Sequence, residues 1–239
     1  MDRRSFLLLG AATMVGFRRV SAAEPGWGSL AAQLRGALLL PSSPDYDRAR
    51  QLFNPRLDRH PGAIAMCADA QDAQTCVQWA LNHRKNLSVR AGGHGYEGYC
   101  LSGQLVVDVS ALHRIEVDPK LISVEAGARL VEAYAALTPR QLALPGGSCP
   151  TVGVAGYTLG GGFGLLSRQL GMSCDRLRSA DLVTPTGQFI TVNADSHADL
   201  FWALRGGGNG NFGVVTRLEL RPAPLQRVTA FRLEWPWED

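Results

Sequence analysis

The sequence predicts an α+β fold, and three observations carry that expectation. Short apolar strand segments outnumber helical ones, and they do not follow the regular βαβα alternation of a doubly wound parallel sheet. The glycines, 27 in 239 residues, bunch at 92–98, 146–164 and 206–213, which marks loops between elements rather than a low-complexity tract. With 46% hydrophobic and 19% charged residues the composition is that of an ordinary globular protein, long enough for one large domain or two lobes.

Residues 1–23 read as an export segment. Arg3 and Arg4 precede the apolar run Phe6 to Ala12, and Ser21-Ala22-Ala23 offers a small-residue cleavage site. The run from Asp2 to Leu8 is close to a twin-arginine signal; an ordinary secretory signal that starts with two arginines is the alternative. The apolar run is too short to span a bilayer, and no later segment reaches about 18 apolar residues. The expectation is a soluble, exported protein, periplasmic or extracellular. Four arginines and one aspartate give this segment all of the chain's formal charge of +3, so the remainder is neutral. Nothing then points to nucleic acid or to an anionic membrane as partner.

Residues 24–54 read as a helical lead-in. Ala63 to Met66 is a short apolar strand, and Asp69 to Asn82 a helix, because Ala73, Cys76, Val77 and Ala80 recur on one face. Strands follow at Asn86 to Arg90, Gln104 to Val109 and Leu121 to Ala126, then a helix from Leu130 to Leu137. After the glycine-rich stretch 146–164 a second unit begins. Its strands are Ala180 to Thr184 and Gln188 to Val192, joined by the turn Pro185-Thr186-Gly187. A short helix at Ala198 to Leu204 and a strong strand at Gly213 to Leu220 come next, and Thr229 to Trp235 begins another strand. The tryptophans and phenylalanines read as core.

Five cysteines, at 67, 76, 100, 149 and 174, form no C-x-x-C, which argues against a zinc site. One disulfide would suit an oxidising compartment. Cys67 and Cys76 are the nearest pair, but spacing alone does not establish it.

The glycine loops are the chemical signal. Arg90 to Gly98, R-A-G-G-H-G-Y-E-G, spells G-x-G-x-x-G from Gly93. A dinucleotide turn of the Rossmann type needs a strand before the glycines and a helix after them. Here a strand precedes, but another strand follows. Gly208 to Gly213 repeats the spacing with a helix before it and a strand after it, so it fails the other way. No P-loop sequence is present. Glycines still let backbone amides approach an anion without a helix end, and three such loops suit a long ligand with a diphosphate. Three tight turns with no ligand are the alternative.

Four motifs then carry a resemblance. R-A-G-G-H-G-Y at 90–96, G-G-S-C-P-T-V-G at 146–153, G-G-G-F-G at 160–164 and L-R-G-G-G-N-G-N-F-G-V-V-T at 204–216 resemble the FAD-linked oxidases of the vanillyl-alcohol oxidase (PCMH) type. The closest look-alikes are the berberine bridge enzyme-like and oligosaccharide oxidases. The resemblance implies two α+β lobes with FAD between them, and an FAD-binding domain over 55–225. It implies cofactor contacts from Arg90, Ala91, Gly92, Gly93, His94, Gly95 and Tyr96, which wrap the pyrophosphate. Gly147, Cys149, Thr151, Gly153, Val154, Gly156, Tyr157, Gly160, Gly161, Gly162 and Gly164 lie on the isoalloxazine and ribityl side. Asn211, Gly213, Val214 and Val215 lie towards the adenine end. His94 matches the histidine that bonds to the flavin 8α carbon, and Cys149 the cysteine that bonds to C6, so the FAD is expected to be bicovalent. A neutral imidazole and a thiolate are the nucleophiles such bonds need. His60, His83, His113 and His197 sit in no such motif and read as surface or structural.

The reaction implied is hydride transfer from an alcohol or a carbohydrate to FAD, with O2 as oxidant and hydrogen peroxide as product. A dehydrogenase using another acceptor, and an FAD-binding module without turnover of its own, are the alternatives. The pattern departs from the family at Ala155-Gly156-Tyr157, where many relatives have G-G-H. Residues 226–239 are expected to open a substrate domain that would supply the catalytic base.

Overall fold

The computed structural model describes residues 26–208, 210–227, 229 and 231–236. The export segment expected at 1–23 lies outside them. In the first unit α1 (Trp27–Ala31), β1 (Ala37–Leu39) and α2 (Tyr46–Ala49) lead to β2 (Ala63–Met66), α3 (Ala70–Asn82), β3 (Leu87–Arg90) and β4 (Leu105–Asp108). The four strands form one sheet in the order β1-β2-β4-β3. β4 lies parallel to both β2 and β3, and β1 runs antiparallel to β2. β4 is therefore central and buried throughout, as its unbroken apolar run Leu105-Val106-Val107 requires.

The second unit holds β5 (Ile115–Val117), β6 (Ile122–Glu125), α4 (Leu130–Leu137), β7 (Leu142–Ala143), α5 (Val154–Leu159) and α6 (Ser167–Leu170). It continues with β8 (Leu177–Val183), β9 (Phe189–Asn193), α7 (Ala198–Leu204), β10 (Val214–Leu220) and β11 (Ala223–Pro224). Its main sheet is antiparallel, in the order β5-β6-β10-β8-β9. α3 packs against β4 of the first sheet and against β8 and β10 of the second. Ala73, Cys76, Val77 and Ala80 are buried at that junction, so one helix face joins the two units.

The lead-in is not simply helical. Arg35 and Gly36 donate their amides to the Asp72 carboxylate at 2.9 and 2.8 Å, and Ala68 donates to it at 2.9 Å. These bonds deliver β1 to the edge of β2. The three residues Ala37-Leu38-Leu39 are too short to show a period, so their pairing is a tertiary effect. The strand expected from Thr229 is likewise absent, since residues 229 and 231–236 are irregular. The last pairing found among the described residues is β11 with β7. The glycine-rich stretch at 146–164 contains the six-residue helix α5, which sequence periodicity did not show.

The aromatic residues divide. Trp27, Trp79 and Phe201 are buried as expected, with Trp27 stacked on Trp79. Phe53, Phe163, Trp202, Phe231 and Trp235 are exposed, which corrects their reading as core. Cys67 and Cys76 are buried free thiols that hydrogen-bond one another. His83 stacks on Trp79, and His60 and His113 face Asp58 and Glu132 at the surface.

Candidate cofactor site

The site is built where the end of β3 meets the loop before α5. β3 and β4 are paired in parallel register with Arg90 opposite Asp108. Asp108 is 1% exposed, and its Oδ2 lies 3.5 Å from Arg90 Nε. Burial pushes the Asp108 carboxyl above the usual range, while the Arg90 charge pulls it back. Arg90 also donates to the Gln51 carbonyl at 2.9 Å. Its guanidinium thus faces the protein, and its contribution is to aim the loop that follows.

That loop is 91–98. Gly93 and Gly98 both take φ of +67°, where a side chain would be strained. Among the described residues, the amides of Ala91, Gly92, Gly93, His94 and Gly95 donate to no protein acceptor. Successive free amides on a glycine loop form an anion-binding concavity. As expected, no α-helix follows: Tyr99–Leu101 makes one tight turn and β4 begins. Tyr96 is exposed.

The second loop, 145–153, lies against the first. A Cβ on Gly92 would fall 2.8 Å from the Gly153 Cα, and closer still to its amide nitrogen, so the two backbones touch. α4 holds this loop from behind. Leu130 and Val131 donate to the carbonyls of Val152 and Pro150, and the Tyr134 hydroxyl donates to that of Gly147 at 2.6 Å. Cys149 stands exposed in the middle.

The side chains of the two loops meet at His94. Its Nε2 is 2.9 Å from the Thr151 hydroxyl. Its ring stacks on Phe53, with centroids 4.1 Å apart and planes inclined by 17°. Phe53 is fixed in turn by its amide, which donates to the Gly93 carbonyl at 3.2 Å. Burial, helped by the charge of Arg129, holds the imidazole below its ordinary pKa, so His94 is neutral at neutral pH. Phe53, Gln51 and Arg129 were not foreseen as site residues. No motif marks them, and only the fold brings them to the loop.

The remaining nominated residues are spread around these loops. Val154, Val214 and Val215 bury their side chains in the core, which leaves only their backbones available. The Tyr157 hydroxyl donates to Pro145 at 3.4 Å, and burial pushes its pKa up to about 12. Gly161 and Gly162 have φ of +107° and +76°; Gly162 packs on Tyr157 and Ser173, and Gly164 on the Gly146 carbonyl. Gly147 faces the Tyr157 ring and the open Gly156 and Gly160 flank α5. The Asn211 amide donates to Gly207 within its own loop. Asn211, Gly213 and Val214 line a cavity of about 250 Å³ with Val77, Leu87 and Pro185.

Comparison with known proteins agrees with this geometry. A family described as an FAD binding domain matches residues 61–193. The chain is 40% identical over 214 residues to the FAD-linked oxidoreductase YgaK of Bacillus subtilis (strain 168), covering 87% of this chain and 48% of that protein. The glucooligosaccharide oxidase of Acremonium strictum, a protein with 6-S-cysteinyl, 8α-N1-histidyl FAD, superposes with a TM-score of 0.77 at 34% identity. That match covers 82% of this chain and 42% of the oxidase. The xylooligosaccharide oxidase of Myceliophthora thermophila C1, in complex with xylobiose, superposes with a TM-score of 0.78 at 32% identity. It covers 82% of this chain and 43% of that one. The chain thus spans about half the length of the relatives it matches. Two abutting glycine loops with free amides suit a diphosphate, and the matched segment contains both, so the chain belongs to the FAD-binding family of the FAD-linked oxidoreductases.

Proposed function

We propose that this chain is the FAD-binding part of an exported oxidase of alcohols or carbohydrates, with FAD joined to His94 at its 8α carbon and to Cys149 at C6. The observation that carries the reading is the 2.9 Å contact from His94 to Thr151, which sets the histidine loop beside the cysteine loop. The amides of Ala91 to Gly95 bind the pyrophosphate, and the cavity beside Val214 takes the adenine end. Neutral His94 keeps a lone pair for bond formation, and exposed Cys149 is accessible as the thiolate. Tyr157 stays a phenol at neutral pH and serves as a donor, not as a base. When bound, FAD accepts a hydride from a substrate C–H and passes the electrons to O2, giving hydrogen peroxide. The segment at 1–23 supports export of the folded, cofactor-loaded chain to the periplasm or the cell exterior.

The test uses the purified full chain. His94→Ala is expected to keep acid-stable flavin through Cys149, and Cys149→Ala to keep it through His94. The double variant is expected to release all of it. Complete release from His94→Ala alone contradicts the role of Cys149. Peroxide formed with an alcohol or a sugar supports the oxidase reading; reduction of a dye without peroxide points to a dehydrogenase instead.

A further inference from the structure

We propose that Thr151 and Phe53 are positioning residues that present Nδ1 of His94, and not Nε2, to the flavin. The inference rests on the histidyl linkage proposed above. Nε2 is engaged at 2.9 Å by the Thr151 hydroxyl, so it cannot also approach a carbon atom. Nδ1 makes no hydrogen bond among the described residues, which leaves it as the open edge of the ring. A neutral imidazole carries one N–H, and the other nitrogen holds the lone pair. With the proton on Nε2 donated to Thr151, the lone pair lies on Nδ1.

Phe53 completes the arrangement. Its ring lies on one face of the imidazole, 4.1 Å between centroids, and its own amide is tied to Gly93 one residue before the histidine. The ring cannot turn over without breaking both the stack and the Thr151 contact. Burial keeps the imidazole neutral, which the lone pair requires.

The bond change balances as follows. The Nδ1–carbon bond forms; one C–H of the ring methyl and the Nε2–H break. Thr151 is the first acceptor for the Nε2 proton. Two protons and two electrons leave in all, and dioxygen takes them to become hydrogen peroxide.

The test combines product structure with variants of the full chain. Apoprotein is mixed with FAD, and the histidyl and cysteinyl bonds are followed separately on the peptides that carry His94 and Cys149. Wild type is expected to carry flavin on Nδ1, read by NMR of the isolated histidyl-flavin peptide. Thr151→Val is expected to slow the histidyl bond about tenfold or more, as loss of one oriented hydrogen bond implies. It should leave the cysteinyl bond at its wild-type rate, and Thr151→Ser should restore the histidyl rate. Phe53→Ala should slow the same bond alone. Linkage through Nε2, or an unchanged histidyl rate in Thr151→Val, overturns the inference while the proposed function stands. Equal slowing of both bonds shows a merely structural loop defect and also overturns it. Wild type without any histidyl flavin removes the proposed function at His94 and this inference with it. If Thr151→Val does not fold, the nitrogen found in wild type decides.

Discussion

Gly92→Ala is expected to yield a protein that takes up little flavin and melts well below wild type. The new Cβ would sit 2.8 Å from the Gly153 Cα and closer to its amide, and both obstacles are backbone. Overpacking of this kind costs about 3 kcal/mol, because neither loop can move aside like a flexible side chain. In a chain of this size that lowers Tm by roughly 6–12 °C. Forcing the loops apart also separates His94 from Thr151 and breaks the anion cradle. Gly95→Ala is the internal control. Nothing lies within 4 Å of a Cβ there, and Gly95 does not have positive φ. Its Tm should stay close to wild type, within about 0.5 kcal/mol of stability. Flavin uptake should still fall, because the added methyl occupies space assigned to the diphosphate. Differential scanning fluorimetry with flavin absorbance reads both quantities. Equal melting of the two variants would contradict the close approach of the loops.

Asp108→Ala is expected to be the most destabilising single change near the site. The carboxylate is buried, and the side chain of its partner Arg90 is mostly covered. Removing one member of such a pair leaves an uncompensated charge, at a cost of about 3–5 kcal/mol, or roughly 6–20 °C in Tm. Asp108→Asn keeps an acceptor for the Ser110 amide, which Oδ1 now bonds at 2.9 Å, so its loss should be smaller. The pH dependence has a definite sign. The native carboxyl is raised, so the folded state binds its proton more tightly than the unfolded chain. This group's contribution to stability therefore falls as pH rises from the ordinary carboxylate value, about 3.9, through the raised native one, and is level above it. The stability difference between wild type and Asp108→Asn, followed by urea melts across that range, should change in that direction. A difference independent of pH would contradict the raised value.

Much of this arrangement is legible in the sequence, and the missing parts share a cause. β2, α3, β3, β4, α4 and α7 follow from apolar runs and helical spacing. The two principal loops follow from glycine clustering around one histidine and one cysteine. β1 is invisible, because its strand character comes from the Asp72 carboxylate 33 or more residues away drawing Arg35 and Gly36 onto β2. α5 is hidden because Gly153, Gly156 and Gly160 mask any helical preference, which the surrounding packing overrides. Phe53 reaches His94 through a loop without a motif, and Thr151 reaches it across 57 residues. The exposed aromatic residues were misread because a large apolar side chain by itself does not specify burial.

The most direct test is the mass of the purified full chain after acid precipitation, followed by mapping of its flavin-bearing peptides. The account predicts one FAD per chain that acid does not release, attached to both the His94 peptide and the Cys149 peptide. A colourless protein with the bare polypeptide mass, or flavin released completely by acid, would contradict it.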